Sequence, residues 1–158
     1  MSDYYLDASA LAKRYVSEPG SAWVLHIADP TAGHTILLSE ITLAEVAAAL
    51  AAKQRAPKGL TVEERNRALS RFLQECDEHY LLLKVDRSVI DLAVEFIQRH
   101  VLRGYDAVQL AAAWLANGDF LAAGRTPLIF VASDQDLLTA AQEEHLIIQN
   151  PLDYPDLG

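Results

Sequence analysis

Short, mainly apolar runs alternate along the chain with longer segments whose apolar residues recur at helical spacing. The short runs have the length and composition of strands. They predict five strands, at 4–6, 35–39, 81–85, 128–132 and 146–148. The run at 128–132 is apolar throughout, which is typical of a strand covered on both faces.

The segments between these runs predict helices. They cover 8–16, a short segment around Trp23 and Ile27, 42 to about 55, the segments that follow Thr61 and Asp86, 107 to about 117, and a segment that ends at 144. Because helices and strands alternate, the pattern predicts an α/β fold, a three-layer α/β/α sandwich with a mainly parallel central sheet. We expect a single domain over 1–150 and an irregular tail over 151–158.

Two sequence motifs mark the beginning of two neighbouring helices. Thr42 with Glu45, and Thr61 with Glu64, match the capping-box pattern, in which the threonine and the acid bond to each other's backbone N–H groups. A break at Pro57-Lys58-Gly59 separates the two segments. The motifs therefore predict a helical hairpin at about 42–78.

Composition restricts the class of protein. With 158 residues, 51% of them apolar, the chain is long enough to bury a full core. No apolar run is long enough to cross a membrane, and Asp3 and Asp7 interrupt the basic-then-apolar pattern of a signal peptide. The single cysteine, Cys76, suits a reducing compartment. We therefore expect a cytoplasmic protein without membrane association.

Charge is distributed unevenly. The formal net charge of −9 argues against a non-specific nucleic-acid-binding protein. Six of the thirteen Lys and Arg residues nevertheless fall between 53 and 71, and none follows Arg125. This basic stretch is either a solvated helix face or a local surface that attracts nucleic acid.

Four acids occupy positions where a parallel sheet would bring them to one edge. Asp7 and Asp134 each follow a predicted strand, Glu45 lies one turn into the helix after the second strand, and Asp106 opens a helix after a break. Each acid also has a structural interpretation as a helix cap or as part of a capping box, and Asp136 is a good N-cap for the last helix, a role that suits it better than that of a fourth acid. No Lys or Arg is placed in the sequence to neutralise the four acids. Converging carboxylates repel one another, so the pattern favours a site for Mg²⁺ or Mn²⁺.

The residues around these acids resemble a known family. Tyr5-Leu6-Asp7-Ala8-Ser9-Ala10-Leu11, Leu43-Ala44-Glu45-Val46, Tyr105-Asp106-Ala107-Val108-Gln109-Leu110-Ala111 and Val131-Ala132-Ser133-Asp134 are similar to the four acidic motifs of the PIN domain. Their order and spacing resemble those of VapC-type ribonuclease toxins of bacterial toxin–antitoxin pairs. Many such proteins carry His at the position of Gln109.

The resemblance implies a function and a site. It implies an endoribonuclease dependent on Mg²⁺ or Mn²⁺, with Asp7, Glu45, Asp106 and Asp134 around the metal and with Ser9 and Ser133 as supporting hydroxyl groups. Asp136 is an alternative fourth acid. The resemblance also implies an RNA substrate, an antitoxin protein as partner, and a homodimer. A PIN fold without catalytic activity, serving to bind RNA or protein, is the alternative function.

Two other classes of phosphate-handling protein match the sequence less well. A phosphatase of the haloacid dehalogenase type needs a second acid two residues after the first, and this chain has Ser9 there. That class and phosphoacceptor receiver domains both need a lysine late in the chain, but no Lys or Arg follows Arg125. The sequence therefore favours the nuclease interpretation.

Overall fold

A central sheet of five parallel strands organises the structure. The computed structural model describes residues 1–154. The strands are β1 (Asp3–Leu6), β2 (Thr35–Ser39), β3 (Tyr80–Leu83), β4 (Ile129–Val131) and β5 (Ile147–Gln149). They lie in the order β3-β2-β1-β4-β5, and every neighbouring pair is parallel. All five predicted strands are confirmed, with bounds that differ by at most two residues.

Helices cover both faces of this sheet. They are α1 (Ala8–Leu11), α2 (Ser21–Ala28), α3 (Ile41–Arg55), α4 (Val62–Glu78), α5 (Arg87–Arg99), α6 (Gly104–Ala122) and α7 (Gln135–Glu143). Short 3-10 helices occupy Ala12–Arg14, Pro30–Ala32 and Pro151–Asp153. Within residues 1–154, no helix is both long and apolar enough to cross a membrane.

Alternation of side chains along the strands produces two separate cores. Tyr4 and Leu6 of β1 pack into a cluster with α1, α2, α3 and α4 on one face of the sheet. Tyr5, between them, packs into the cluster formed with α5, α6 and α7 on the other face. Successive residues of a strand point to opposite faces, and so a strand with apolar residues at every position supplies both cores. The predicted three-layer α/β/α architecture is confirmed.

The two predicted capping boxes have different outcomes. The box at α4 is confirmed, because Thr61 Oγ1 accepts from Glu64 N–H at 3.1 Å and Glu64 Oε1 accepts from Thr61 N–H at 2.9 Å. The box at α3 is wrong. That helix begins at Ile41 without a side-chain cap, and Glu45 Oε1 accepts instead from Gln109 Nε2 at 2.8 Å. The carboxylate of Glu45 thus bonds to a residue 64 positions away and not to the backbone of its own helix.

The structure also corrects the bounds of α6. It covers Gly104–Ala122 rather than 107–117, so Asp106 lies in its first turn and Arg103 is the N-cap. At the other end the helix continues past Asn117, whose Oδ1 accepts from the N–H of Leu128 just before β4 at 3.0 Å. This hydrogen bond to the segment before β4 holds α6 at Asn117, where the sequence predicted that the helix would end.

The predicted irregular tail begins with ordered structure. Asn150 Oδ1 accepts from Leu152 N–H at 2.9 Å and caps the 3-10 helix at Pro151–Asp153, so the prediction is wrong for these residues. Gly20 lies against this turn with a φ of 89°, and a Cβ there would come within 2.8 Å of the carbonyl oxygen of Pro151. The part of the predicted tail at 155–158 is outside the described residues.

A pair of leucines on neighbouring strands tests the assignment of the core. Leu37 of β2 is 0% exposed and Leu81 of β3, its partner in the sheet register, is 46% exposed. We predict that Leu37→Ala lowers the free energy of unfolding by about 2–5 kcal/mol, because it leaves a cavity between packed layers. Leu81→Ala, the matched control, should lower it by less than about 1 kcal/mol. Urea unfolding measures both, and equal losses would contradict the assignment.

Candidate active site

The candidate site lies where the strand order reverses. β1 lies between β2 and β4. From β2 the chain continues to β3 at one edge of the sheet, and from β4 it continues to β5 at the other edge. Asp7 directly follows β1, and its N–H donates to the carbonyl of Val131, the last residue of β4, at 3.1 Å. The carboxyl ends of strands at such a reversal form a crevice in which α/β proteins bind ligands.

Asp7 is buried in this crevice and fixed by hydrogen bonds. Its side chain caps α1, and Oδ1 accepts from Ala10 N–H at 2.9 Å and from Ser9 Oγ at 2.8 Å. Ser9 Oγ also lies 3.0 Å from Oδ2 of Asp7 and accepts from the N–H of Ser133 at 3.2 Å. One hydroxyl therefore ties the residue after β1 to the loop after β4. Of the two predicted supporting residues, Ser9 bonds to Asp7 through its hydroxyl, whereas Ser133 bonds to Ser9 through its backbone N–H, and its own hydroxyl has no hydrogen-bond partner within residues 1–154.

Glu45 is held by a buried amide. Gln109 is 1% exposed, and its Nε2 donates to Glu45 Oε1 at 2.8 Å and to Thr42 Oγ1 at 2.9 Å. Its Oε1 accepts from Tyr5 OH at 2.6 Å. Both ends of the amide are occupied, which fixes its orientation and that of Glu45. The sequence drew attention to Gln109 only as a departure from the family pattern, and gave no signal for this bond between α6 and α3.

The last two acids lie at the beginnings of α6 and α7. Asp106 is half-buried in the first turn of α6. Asp134, not Asp136, caps α7, with Oδ1 accepting from Leu137 N–H at 3.0 Å. The expectation that Asp136 is the cap is therefore wrong, and Asp136 instead lies exposed in the first turn. The extended backbone of Asp134 places its side chain between the end of β4 and the helix.

Electrostatic repulsion links all four acids. Burial raises the pKa of Asp7 to about 7, and repulsion from Asp106 and Glu45 adds to this shift. Burial also raises the pKa of Glu45, with a contribution from Asp106 that the Gln109 hydrogen bond opposes. Burial raises the pKa of Asp106, with a contribution from Asp134. The structure thus brings the four predicted residues within electrostatic reach of one another.

Arg103 is a cation that the sequence analysis missed. Its Nη1 donates to Tyr105 OH at 2.9 Å, which raises the pKa of Arg103, and the negative charges of Asp106 and Asp134 raise it further. The positive charge of Arg103 in turn opposes the rise in the pKa of Asp106, which burial nevertheless keeps raised. The expectation of no neighbouring cation is wrong because α6 begins earlier than predicted, which places Arg103 one turn from Asp106. Arg103 is exposed, and one such charge does not neutralise four carboxylates.

The donor chemistry of these acids fits a hard divalent cation. Within residues 1–154, Oε2 of Glu45, both carboxylate oxygens of Asp106 and Oδ2 of Asp134 accept no hydrogen bond. Free carboxylate oxygens are the ligands that Mg²⁺ and Mn²⁺ prefer. In that same part of the chain, however, no three His, Cys, Asp or Glu side chains are arranged to hold one metal ion together. The residues therefore match the chemistry of a metal site, while the geometry does not by itself define one.

Comparisons with known proteins identify the family and the fold of the chain. The PIN domain family matches residues 4–141 of the chain. FitAB bound to the IR36 DNA fragment has a similar structure, with a TM-score of 0.65 and 16% identity over 98% of this chain and 99% of that one. A toxin–antitoxin complex from Klebsiella pneumoniae gives a TM-score of 0.61 and 14% identity over 94% and 97% of the two chains. No curated protein matches the sequence.

A third solved structure extends the comparison. VapBC2 from Rickettsia felis, bound to a DNA fragment from its promoter, gives a TM-score of 0.60 and 16% identity over 94% of this chain and 98% of that one. At these identities the likeness establishes a shared fold.

The pKa of Asp7 predicts a pH-dependent stability. Because this pKa rises from 3.8 to about 7 on folding, the unfolded chain ionises the carboxyl group at lower pH than the folded protein does. The contribution of Asp7 to the free energy of unfolding therefore falls between about pH 4 and pH 7 and stays low above that range. Asn can still cap α1 but does not ionise. We predict that metal-free Asp7→Asn becomes progressively more stable than metal-free wild type across this window, as measured by urea unfolding in EDTA.

Asp29 provides a control of opposite sign. Hydrogen bonds from the Thr31 hydroxyl and N–H lower the pKa of Asp29. Its contribution to the free energy of unfolding is therefore present above the pKa of the unfolded chain and is lost as the pH falls. Asp29→Asn should therefore be less stable than wild type at neutral pH, with the difference disappearing in acid. A pH-independent difference between Asp7→Asn and wild type would contradict the assignment of Asp7 as a buried carboxyl group with a raised pKa.

Proposed function

Because the chain belongs to the PIN domain family, whose members are generally metal-dependent nucleases, we propose that it is an endoribonuclease that hydrolyses phosphodiester bonds in RNA. The observation that carries the proposal is a group of four carboxylates at the carboxyl end of the sheet, in which Asp7, Glu45 and Asp106 repel one another and Asp134 repels Asp106. Keeping such a group ionised is unfavourable unless a cation balances it.

We propose that these four residues hold Mg²⁺ or Mn²⁺. The bound metal supplies an activated water and stabilises the leaving oxygen. Asp7 is oriented for this role by Ser9 and the Ala10 N–H, and Glu45 by Gln109. In the reaction a water oxygen bonds to phosphorus, the bond to the 3′ oxygen breaks, and that oxygen takes up a proton. The products are a 5′-phosphate and a 3′-hydroxyl.

The solved structures support a proposal about partners. Two of them, from Klebsiella pneumoniae and Rickettsia felis, are a toxin–antitoxin complex and VapBC2. We propose that this chain is likewise the toxin of a toxin–antitoxin pair, that an antitoxin protein binds it, and that it acts in the cytoplasm as a homodimer.

Removing a carboxylate charge tests the nuclease proposal. Asp106→Asn preserves the shape of the side chain and should abolish metal-dependent cleavage of single-stranded RNA, because a ligand of the cation is weakened. Asp119→Asn, in the same helix but exposed near its far end, is the matched control and should cleave at the wild-type rate. Cleavage is followed on labelled RNA with Mg²⁺, with Mn²⁺ and with EDTA, and circular dichroism checks that both variants fold.

Metal binding has a readout that does not depend on activity. At a Mg²⁺ concentration about 100 times its dissociation constant, the free energy of unfolding should rise by about 2.7 kcal/mol. Thermal melts should show this rise in wild type and Asp119→Asn, and a much smaller one in Asp106→Asn. Cleavage that persists in EDTA would refute the metal mechanism. RNA binding without cleavage under any of these conditions would favour the alternative, a catalytically idle PIN fold.

The homodimer is tested separately. Sedimentation velocity of the purified chain should give a mass close to twice the 17.4 kDa of one copy over a range of protein concentrations. A mass of one copy at the highest concentration would contradict the proposed dimer and leave the nuclease proposal untouched.

A further inference from the structure

A cavity of about 270 Å³ opens beside Glu45, one of the four acids. It shares Ser9, Glu45 and Ser133 with the candidate site and extends from them along α1 and α3. Its far end is lined by Lys13, Glu18 and Lys53. The cavity therefore has an acidic end at the catalytic group and a basic end away from it.

The charges at the basic end are not balanced. Lys13 Nζ lies 3.3 Å from Glu18 Oε1, and Lys53 Nζ lies 3.4 Å from Glu18 Oε2. Two ammonium groups thus share one carboxylate, which leaves an excess of one positive charge. Lys13 is only 6% exposed and donates, within residues 1–154, one side-chain hydrogen bond, to Glu18. A buried ammonium group has three donors and is unfavourable without partners, so this end of the cavity favours an anion.

The walls between the two ends are small and apolar. They are formed by Ala8, Ala12, Val16 and Ala49. Short side chains leave room for a ribose or a base, and Lys53, which is 48% exposed, is accessible to the backbone of a strand. The cavity thus combines small apolar walls with cations at one end, and the cations match the positively charged grooves that follow the backbone in single-stranded nucleic-acid sites.

The spacing of the two ends suits a polynucleotide. Glu45, Ala49 and Lys53 follow one another at four-residue intervals on α3 and so lie on one face of that helix. The eight residues from Glu45 to Lys53 correspond to about 12 Å along the helix axis. A strand crosses this distance in a few nucleotides, because its phosphates follow one another at about 3.4 Å or more.

We propose that Lys13 and Lys53 form a subsite for a backbone phosphate of single-stranded RNA, a few nucleotides from the scissile bond. This inference rests on the proposed function and names the path of its substrate. RNA is favoured over a protein partner because the subsite shares its cavity with the catalytic acids, and a strand cleaved there continues into it. Glu18 competes with the phosphate for the two ammonium groups and is displaced when the strand binds.

Binding of RNA by an inactive protein tests the subsite. All variants carry Asp106→Asn, so that a labelled single-stranded oligoribonucleotide stays intact in Mg²⁺. Lys53 is 48% exposed, so Lys53→Met should fold, and it should bind about 3- to 10-fold more weakly. The slope of log K against log salt should become shallower by about 0.7, the loss of one phosphate contact. Lys84→Met, an exposed lysine after β3, is the matched control and should change neither quantity.

Glu18→Gln separates a binding role from a structural one. If Glu18 competes with phosphate, its neutralisation should strengthen RNA binding by about 2- to 5-fold. If the lysines and Glu18 only hold the segment after α1 against α3, the same change should leave binding unchanged or weaken it. Thermal melts of each variant establish how much of any effect comes from lost stability.

Neutral linkages locate the contact. Oligoribonucleotides each carry one methylphosphonate linkage, protected by a neighbouring 2′-O-methyl group, at successive positions around the cleavage point. At one position the neutral linkage should weaken binding to the protein that carries only Asp106→Asn. The same linkage should not weaken binding further when Lys53→Met is also present, because the two changes remove the same contact. Additive losses at every position, or equal binding by Lys53→Met and Lys84→Met, would overturn the subsite. Absence of cleavage by the wild-type protein would instead refute the proposed function, so the two failures are distinguishable.

Discussion

The burial of one carboxyl group at the reversal of the strand order is the constraint on which the site depends. Asp7 is 4% exposed, and desolvation makes the largest contribution to its raised pKa. The hydrogen bonds from Ser9 and Ala10 act in the opposite direction but do not compensate for burial. Glu45 and Asp106 add further negative charge, so the fold concentrates charge that its own residues do not balance. This is an arrangement that favours a bound cation rather than the stability of the empty protein.

A second buried polar group connects this charge to the core. Gln109 joins Tyr5 from the middle of β1 to Thr42 and Glu45 at the beginning of α3. These bonds pass from one face of the sheet to the other, because Tyr5 packs with α6 whereas α3 covers the opposite face. A fully bonded buried amide is rigid, and removing any partner would leave a polar atom unsatisfied. The position of Glu45 is therefore coupled to the packing of the whole sheet.

The limits of prediction from sequence follow from the range of the interactions. The strands were predicted from local apolar runs and the Thr61 capping box from a motif of four residues, and both predictions are confirmed. The Thr42 box has the same motif, but Glu45 bonds to Gln109 from another helix, which no local pattern can reveal. Arg103 was missed for a related reason, since its position beside Asp106 depends on the true start of α6. The sequence thus locates the four acids, while the groups that hold and neutralise them require the tertiary structure.

The basic stretch at 53–71 shows how tertiary contacts divide a set of charges that looks uniform in the sequence. Arg71 Nε lies 3.0 Å from Glu75 Oε1 in an ion pair, and its guanidinium group lies over the ring of Tyr15, so Arg71 joins α4 to the segment after α1. Lys53, in contrast, lines the same cavity as Glu45. The decisive property of Lys53 is its position two helical turns after Glu45, on the same face of α3. One face of one helix thereby carries an acid of the candidate site and a cation of the proposed phosphate subsite, although the chain as a whole is acidic.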